Sequence, residues 1–261
     1  MPESFYEPDG ERFASSELTR GPWDPEFQHA GPPAALLGRE VEGLQDAGDF
    51  QIARITFEIM RAVPIAPLWA EARIARPGRR VQLVEGSLHD SDGEVMRATA
   101  WRIRTGEVAL PKLSRAEPPP GPETAEHRDF VPTGQEVGYH TAMEYRFLKG
   151  AFTEPGPAKV WMRMRCPLVA GEAPSPLSRV LAAADSGNGV SATLDWRRYL
   201  FINVDLSVHL ERMPEGEWVC LDAVTLAEPN GVGVADTLLL DERGRIGRAL
   251  QSLLVGERTD A

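Results

Sequence analysis

The feature that most constrains this chain is that its second half repeats the order of its first. On either side of AEPPPGPETAEHRDFVPTG, from Ala116 to Gly134, a helix pattern is followed by strand-like runs separated by turns. In the first half these are a helix from Pro32 to about Leu44, then FQIARITFEIM, LWAEARIARPG, RRVQLVEGSLHD and EVMRATAWRIRTG. In the second half AKVWMRMRCPLV precedes a helix, SPLSRVLAAAD, which leads into YLFINVDLSVHL, EWVCLDAVTLAEP, GVADTLLLDERG and RIGRALQSLLVG. The correspondence reaches single residues. Asp90-Ser-Asp-Gly93 is followed by Val95, Arg97 and Ala98, and Asp241-Glu-Arg-Gly244 by Ile246, Arg248 and Ala249, at a constant offset of 151. Phe57 and Leu206 correspond at 149, and Pro64 with Trp69 is echoed by Pro214 with Trp218. A recurrent order at a nearly constant offset points to internal duplication.

A chain of 261 residues is long enough for two domains of about 100–150 residues each. We expect an N-terminal unit over 1–115, a linker over 116–136 and a C-terminal unit over 137–261. The linker's composition predicts no regular element. The opening residues carry no basic region followed by an apolar run, and no stretch approaches the roughly 20 apolar residues of a membrane span, so a cytoplasmic location is expected. Cys166 and Cys220 are too few for a disulfide framework and read as core residues, and no His/Cys/Asp cluster has metal-ligand spacing. A net charge of -11 argues against nucleic acid, whose binding draws on clustered Lys and Arg. A small molecule or a protein is the better partner.

One carboxylate is badly placed. In RVLAAADSGNGV, Asp185 falls in the last turn of an apolar helix that Gly187 is expected to terminate. There it faces the negative end of the helix dipole, which typically costs about 0.3–1 kcal/mol. Dipole and apolar surroundings both disfavour its charge, and that makes a better base. Hydrolysis also needs donors for a developing oxyanion, which a helix N-terminus supplies. At the start of the first helix, Pro32 and Pro33 have no N–H, so Gly31 and Ala34 remain as nearby donors.

The segments HAGPPAALL, RPGRRV, SRVLAAADSGNG, FINVDLSVHLER, GEWV and GRALQSLLV are similar to motifs of the acyl-CoA thioesterases related to bacterial thioesterase II. The likeness runs from about Thr19 to Val255. It implies an α+β double hotdog: two tandem helix-wrapped antiparallel sheets joined by the Pro-rich linker. It further implies hydrolysis of acyl-CoA to free acid and CoA without a cofactor, by a water that Asp185, Gln251 and Asn203 activate together. Several relatives carry Thr at the position of Asn203. Gly31 would donate its amide to the oxyanion. In paired hotdogs the loop of one half faces the helix acid of the other, which predicts one site per chain. Arg39, Arg54 and Ala100 would then stand in the first half where Asp185, Asn203 and Gln251 stand in the second.

Each residue also has a plainer role open to it. Asp185 could cap a turn, Gln251 could satisfy a sheet neighbour, Asn203 could hold a strand edge and His29 could orient its loop. Arg76, Arg79 and Arg80 in ARPGRR suit either a solvated turn or the phosphates of CoA. Two other functions are open: a catalytically idle acyl-CoA-binding or assembly protein, and an enoyl-CoA hydratase, for which Asp24 and His29 have the spacing. The smallest complete unit would be a monomer, with association through the sheets left open.

Overall fold

The computed structural model describes residues 3–44, 49–111, 117–128 and 134–258. An N-terminal hairpin, β1 (Tyr6–Asp9) and β2 (Arg12–Ser15), precedes helix α1 (Gly31–Gly43). Then come β3 (Phe50–Ile59), β4 (Trp69–Arg76), β5 (Val81–Asp90) and β6 (Gly93–Arg104). After the Pro-rich segment follow β7 (Glu126–His127), the one-turn helix α2 (Tyr139–Ala142), β8 (Met143–Ala151) and β9 (Glu154–Met164). The second helical layer is α3 (Pro176–Ala184) with the short α4 (Gly187–Val190). The chain closes with β10 (Tyr199–Asn203), β11 (Asp205–Leu210), β12 (Val219–Ala227), β13 (Val232–Asp241) and β14 (Gly244–Glu257). The strands from β3 onward form one 12-stranded sheet in the order β4-β5-β6-β3-β11-β14-β13-β12-β9-β8-β7, with β10 also on β14.

Both helices start where proline can sit without losing a bond. Pro32 and Pro33 open α1, and Pro176 opens α3 behind Ser175, whose hydroxyl accepts from the Ser178 N–H at 3.1 Å. Their apolar faces pack on each other and into the concave side of the sheet. Gly38 lets the helices approach closely there: a Cβ would lie 2.3 Å from Leu181 Cδ1, and that side chain would have to shift. Fully buried Leu36, Leu37, Phe57, Leu181 and Val208 belong to one continuous core. Each such side chain is worth about 1.5–3 kcal/mol on burial, and residues of both halves contribute to the same core.

The two halves meet where β3 pairs antiparallel with β11. At that seam Thr56 faces Ser207, their hydroxyls 3.0 Å apart, and these two residues are themselves 151 apart. The seam thus has the offset of the turns, which makes Val208, not Leu206, the counterpart of Phe57. Leu206 is instead the residue that Phe57 pairs with.

Two further expectations are corrected. The Pro-rich segment does contain regular structure: Pro122–Thr124 form a 3-10 turn and Glu126–His127 pair with β8 at the sheet edge. It is fastened by the Trp161 indole, which donates to the Pro120 carbonyl at 2.9 Å. YLFINVDLSVHL, read as one strand, is two, because Val204 adds a residue against β14: Asn203 pairs with Leu253 but Ser207 with Leu250. Strand side chains alternate faces, so this bulge lets Asn203 point inward although Leu206 and Val208 also do. The same irregularity lies between Ile52 and Arg54 of β3.

Candidate functional site

The structure brings Asp185, Asn203, Gln251 and His29 together, from three elements of the second half and one loop of the first. Asp185 ends α3 and is buried. The Asn203 amide, turned inward by the bulge, donates to Asp185 Oδ1 at 2.8 Å. The Gln251 amide, from the middle of β14, donates to the same oxygen at 3.2 Å and to the Asp185 carbonyl at 3.1 Å. Gln251 Oε1 in turn accepts the Asn188 N–H of α4 at 3.1 Å. The dipole and desolvation read from the sequence are therefore opposed by two amide donors aimed at one carboxylate oxygen.

Gly187 does something other than end the helix. Its φ is not positive, and it begins α4. A Cβ there would lie 2.4 Å from Thr237 Oγ1 and 3.1 Å from Gln251 Oε1. Glycine is present so that the helix backbone can approach β13 and β14 closely enough for Gln251 to reach Asp185.

His29 comes from the loop ahead of α1, and its Nδ1 lies 3.1 Å from Asp185 Oδ2. The same Nδ1 is 3.1 Å from the Gly31 N–H. One nitrogen cannot serve both in one tautomer. With Nδ1 bare it accepts from Gly31; with a proton on Nδ1 it donates to Asp185 and leaves the Gly31 N–H unclaimed. Burial lowers the pKa of His29 below its usual range, with the Asp185 charge opposing, so near pH 7 the ring is neutral.

Sequence reasoning missed the residues that hold this loop. Tyr139 of α2 stacks on His29, ring centroids 3.8 Å apart and planes within 9°. Its hydroxyl donates to the Ala182 carbonyl at 2.6 Å and lies 3.0 Å from Ser186 Oγ. Burial pushes its phenol well up, so it stays protonated. Gln28 accepts from the Tyr6 hydroxyl at 2.7 Å and donates to the Pro64 carbonyl at 2.7 Å. Only the isolated buried polar character of Tyr139 and Gln28 could have flagged them, and that is a property of the fold.

Other expected residues lie elsewhere. Arg76 sits over the Trp101 ring at the far end of β4, and Arg79 and Arg80 are exposed in the β4–β5 turn, none of them lining the cavity at Asp185. Arg39 is paired with Glu172 and Glu40 on the surface. At the uniform offset the counterpart of Asn203 is Ile52, not Arg54, and that of Gln251 is Ala100; both are buried and apolar. Asp24 caps its own turn through the Glu26 N–H at 2.8 Å, while His29 faces Asp185. Burial pushes the Cys166 and Cys220 thiols up to about 11 and about 12, which leaves both protonated.

Above Asp185 opens a cavity of about 260 Å³. Its walls are mostly apolar, including Trp23, Phe27, Tyr145, Phe152, Val190 and Ile202, and the polar groups that line it include Asp24, His29, His140, Asp185 and Asn203. An apolar pocket with a few convergent polar groups suits an acyl chain joined to a polar, hydrolysable link. No helix among the described residues is long and apolar enough to cross a membrane.

Residues 19–103 match the acyl-CoA thioesterase N-terminal domain family and residues 115–255 the acyl-CoA thioesterase C-terminal domain family. Among solved structures, a Thermobifida fusca protein provisionally described as a thioesterase II superposes with a TM-score of 0.74 at 18% identity, covering 95% of this chain and 93% of that one. A hot dog protein from Alicyclobacillus acidocaldarius gives 0.73 at 15% identity, with 98% and 96% covered. The acyl-CoA thioesterase II TesB2 of Mycobacterium marinum gives 0.65 at 13%, with 96% and 95% covered. No curated protein matches the chain at a significant level.

Proposed function

Because the chain belongs to the acyl-CoA thioesterase family, a double hotdog, we propose that it hydrolyses acyl-CoA with Asp185 as general base. The observation that carries this reading is the convergence of Asn203, Gln251 and His29 on one buried carboxylate at the floor of an apolar cavity. Asp185 accepts a proton from water while the water oxygen bonds to the thioester carbon. Asn203 and Gln251 fix the carboxylate so that a lone pair faces that water. With Nδ1 protonated, His29 holds Asp185 Oδ2 and frees the Gly31 N–H for the oxyanion, whereas the Ala34 N–H is already spent on the Ala30 carbonyl. Collapse of the tetrahedral intermediate breaks the C–S bond. The thiolate takes the proton from Asp185, leaving free acid and CoA.

Against the hydratase reading, Asp24 accepts the Glu26 N–H of its own turn and His29 faces Asp185, although both residues line the cavity. The test is release of free thiol from a panel of acyl-CoA thioesters, with and without EDTA. Turnover that survives chelation is expected. Binding of acyl-CoA with no thiol released from any substrate would favour the idle acyl-binding reading, and loss with EDTA that zinc restores would overturn the mechanism.

A further inference from the structure

A second cavity, of about 390 Å³, adjoins the first and shares with it Pro22, Trp23, Phe152 and Gly189. It leads away from Asp185, past the edge-to-face contact of Trp23 on Phe201 at 5.0 Å, to Trp196 and Arg197. Strand β10 runs alongside. Its inner end is Asn203, at the carboxylate, and the residues just before its outer end are Arg197 and Arg198.

A third guanidinium is held at that outer end. Arg258 donates its backbone N–H to the Arg198 carbonyl at 2.9 Å and Nη1 to the Trp196 carbonyl at 3.2 Å, with its head 5.9 Å from the Trp23 ring centre. Among the described residues none of the three has a carboxylate at ion-pair distance, in a protein of net charge -11. Their acidic neighbours are Asp195, which accepts from the Arg197 backbone N–H at 3.0 Å, and Glu257, paired across the strands with Tyr199. Arg197 lines the second cavity, and Arg198 and Arg258 are its neighbours along and across β10; arginines left uncompensated there are poised for an external anion, and their planar forks suit phosphate.

We propose that Arg197, Arg198 and Arg258 receive the phosphates of CoA while the pantetheine arm lies in the second cavity along β10. This rests on the thioesterase reading of Asp185 and replaces Arg76, Arg79 and Arg80 as the phosphate site. The lengths agree. From sulfur to the first phosphorus CoA has roughly thirteen bonds, equal to about 15 Å of extended chain. From Asn203 to Arg198 is five strand residues, about 17 Å. A thioester at Asp185 therefore brings its phosphates to the arginines, with the acyl group left to fill the first, more apolar cavity.

The experiment is calorimetric binding of CoA, dephospho-CoA and pantetheine to the whole chain, wild type and Arg197→Ala/Arg198→Ala. The double substitution should raise the Kd for CoA by about tenfold or more and the Kd for pantetheine by less than twofold. Rising salt should weaken CoA binding in the wild type and do so less in the variant. Arg258→Gln, which keeps a side chain over Trp23, should act in the same direction. Equal losses for CoA and pantetheine, or none, overturn the proposal. So does an Arg79→Ala/Arg80→Ala variant that loses CoA when Arg197→Ala/Arg198→Ala does not. Because CoA is the product and binding needs no turnover, a chain that binds it as expected yet cleaves no thioester sinks the hydrolysis reading and leaves the phosphate site standing.

Discussion

The two halves of this protein share a frame and differ in chemistry. Asp90 and Asp241 close equivalent turns, and each receives an arginine 151 positions from its counterpart, Arg61 in one half and Arg212 in the other. Each also accepts a backbone N–H two residues on, at 2.8 Å. The strand bulge recurs as well. Yet the positions that in the second half aim Asn203 and Gln251 at Asp185 are Ile52 and Ala100 in the first. What the first half contributes is the loop, with His29 and Gly31. The scaffold's turns and bulges answer to backbone geometry, which both halves must satisfy, whereas a polar site depends on a few side chains, here the acid and its two amide donors. This difference supports the proposal of one site per chain, built from the acid of one half and the loop of the other.

The largest expected effect is at Asp185. Asp185→Asn keeps the shape and an acceptor oxygen for Asn203 and Gln251 but removes the base, so kcat should fall about 10²–10⁴-fold. Stability should move by less than about 1 kcal/mol, since the cost of facing the α3 dipole disappears with the charge. Steady-state kinetics with a denaturant melt decide it. A variant that melts more easily yet turns over as before would make Asp185 a structural cap.

A smaller effect tests the asymmetry. Asn203→Ala or Gln251→Ala should lower kcat by roughly 10- to 1,000-fold, the scale of one positioned polar group. Arg39→Ala and Arg54→Ala, in the half without the set, should change kcat by less than twofold. Comparable losses in both halves would break the distinction between them.

Much of this frame was legible in the sequence. The DxxG turns, the Pro-opened helices and the strand alternation are local signals, and they mark the elements from α1 to β6 and from β9 onward but not β1, β2, β7, α2 or β8, while the likeness to thioesterase II carried Asp185, Asn203 and Gln251 to positions that the structure brings within hydrogen-bond reach. What escaped was non-local. The offset at Asn203 slips by two when Phe57 is matched with Leu206, the residue it pairs with across the seam, and nothing local in INVDL tells a partner from a counterpart; the bulge at Val204 recurs between Ile52 and Arg54 and leaves the offset at 151. Gly187 looked like a helix stop, since a glycine needed for close approach to Gln251 and one needed for positive φ are the same letter. ARPGRR draws attention because density of charge along the chain is visible there, whereas the arginines of the proposed phosphate site, Arg197, Arg198 and Arg258, meet only after β14 returns beside β10. Composition alone gives the Pro-rich segment no regular element, although an edge strand of two residues asks little of it.

The smallest effect concerns the first half's contribution. His29 is buried with its pKa below 6.5, so between that value and the lower folded one the unfolded chain binds more protons than the folded chain. Stability therefore falls as pH drops through about 6.5, by at most about 1.4 kcal/mol per pH unit for one proton, and levels off once the folded ring is also protonated. His140 is shifted the same way by burial, so the contribution of His29 is the difference between wild type and His29→Gln in melts from pH 8 to pH 5. Activity should follow the same ring: an imidazolium beside Asp185 holds the carboxylate as an ion pair and weakens it as a base. The acid limb of kcat in the wild type should then lie below pH 6.5 and vanish or move in His29→Gln. If stability and kcat of wild type and variant run parallel across that range, the loop of the first half only closes the cavity, and the site belongs to the second half alone.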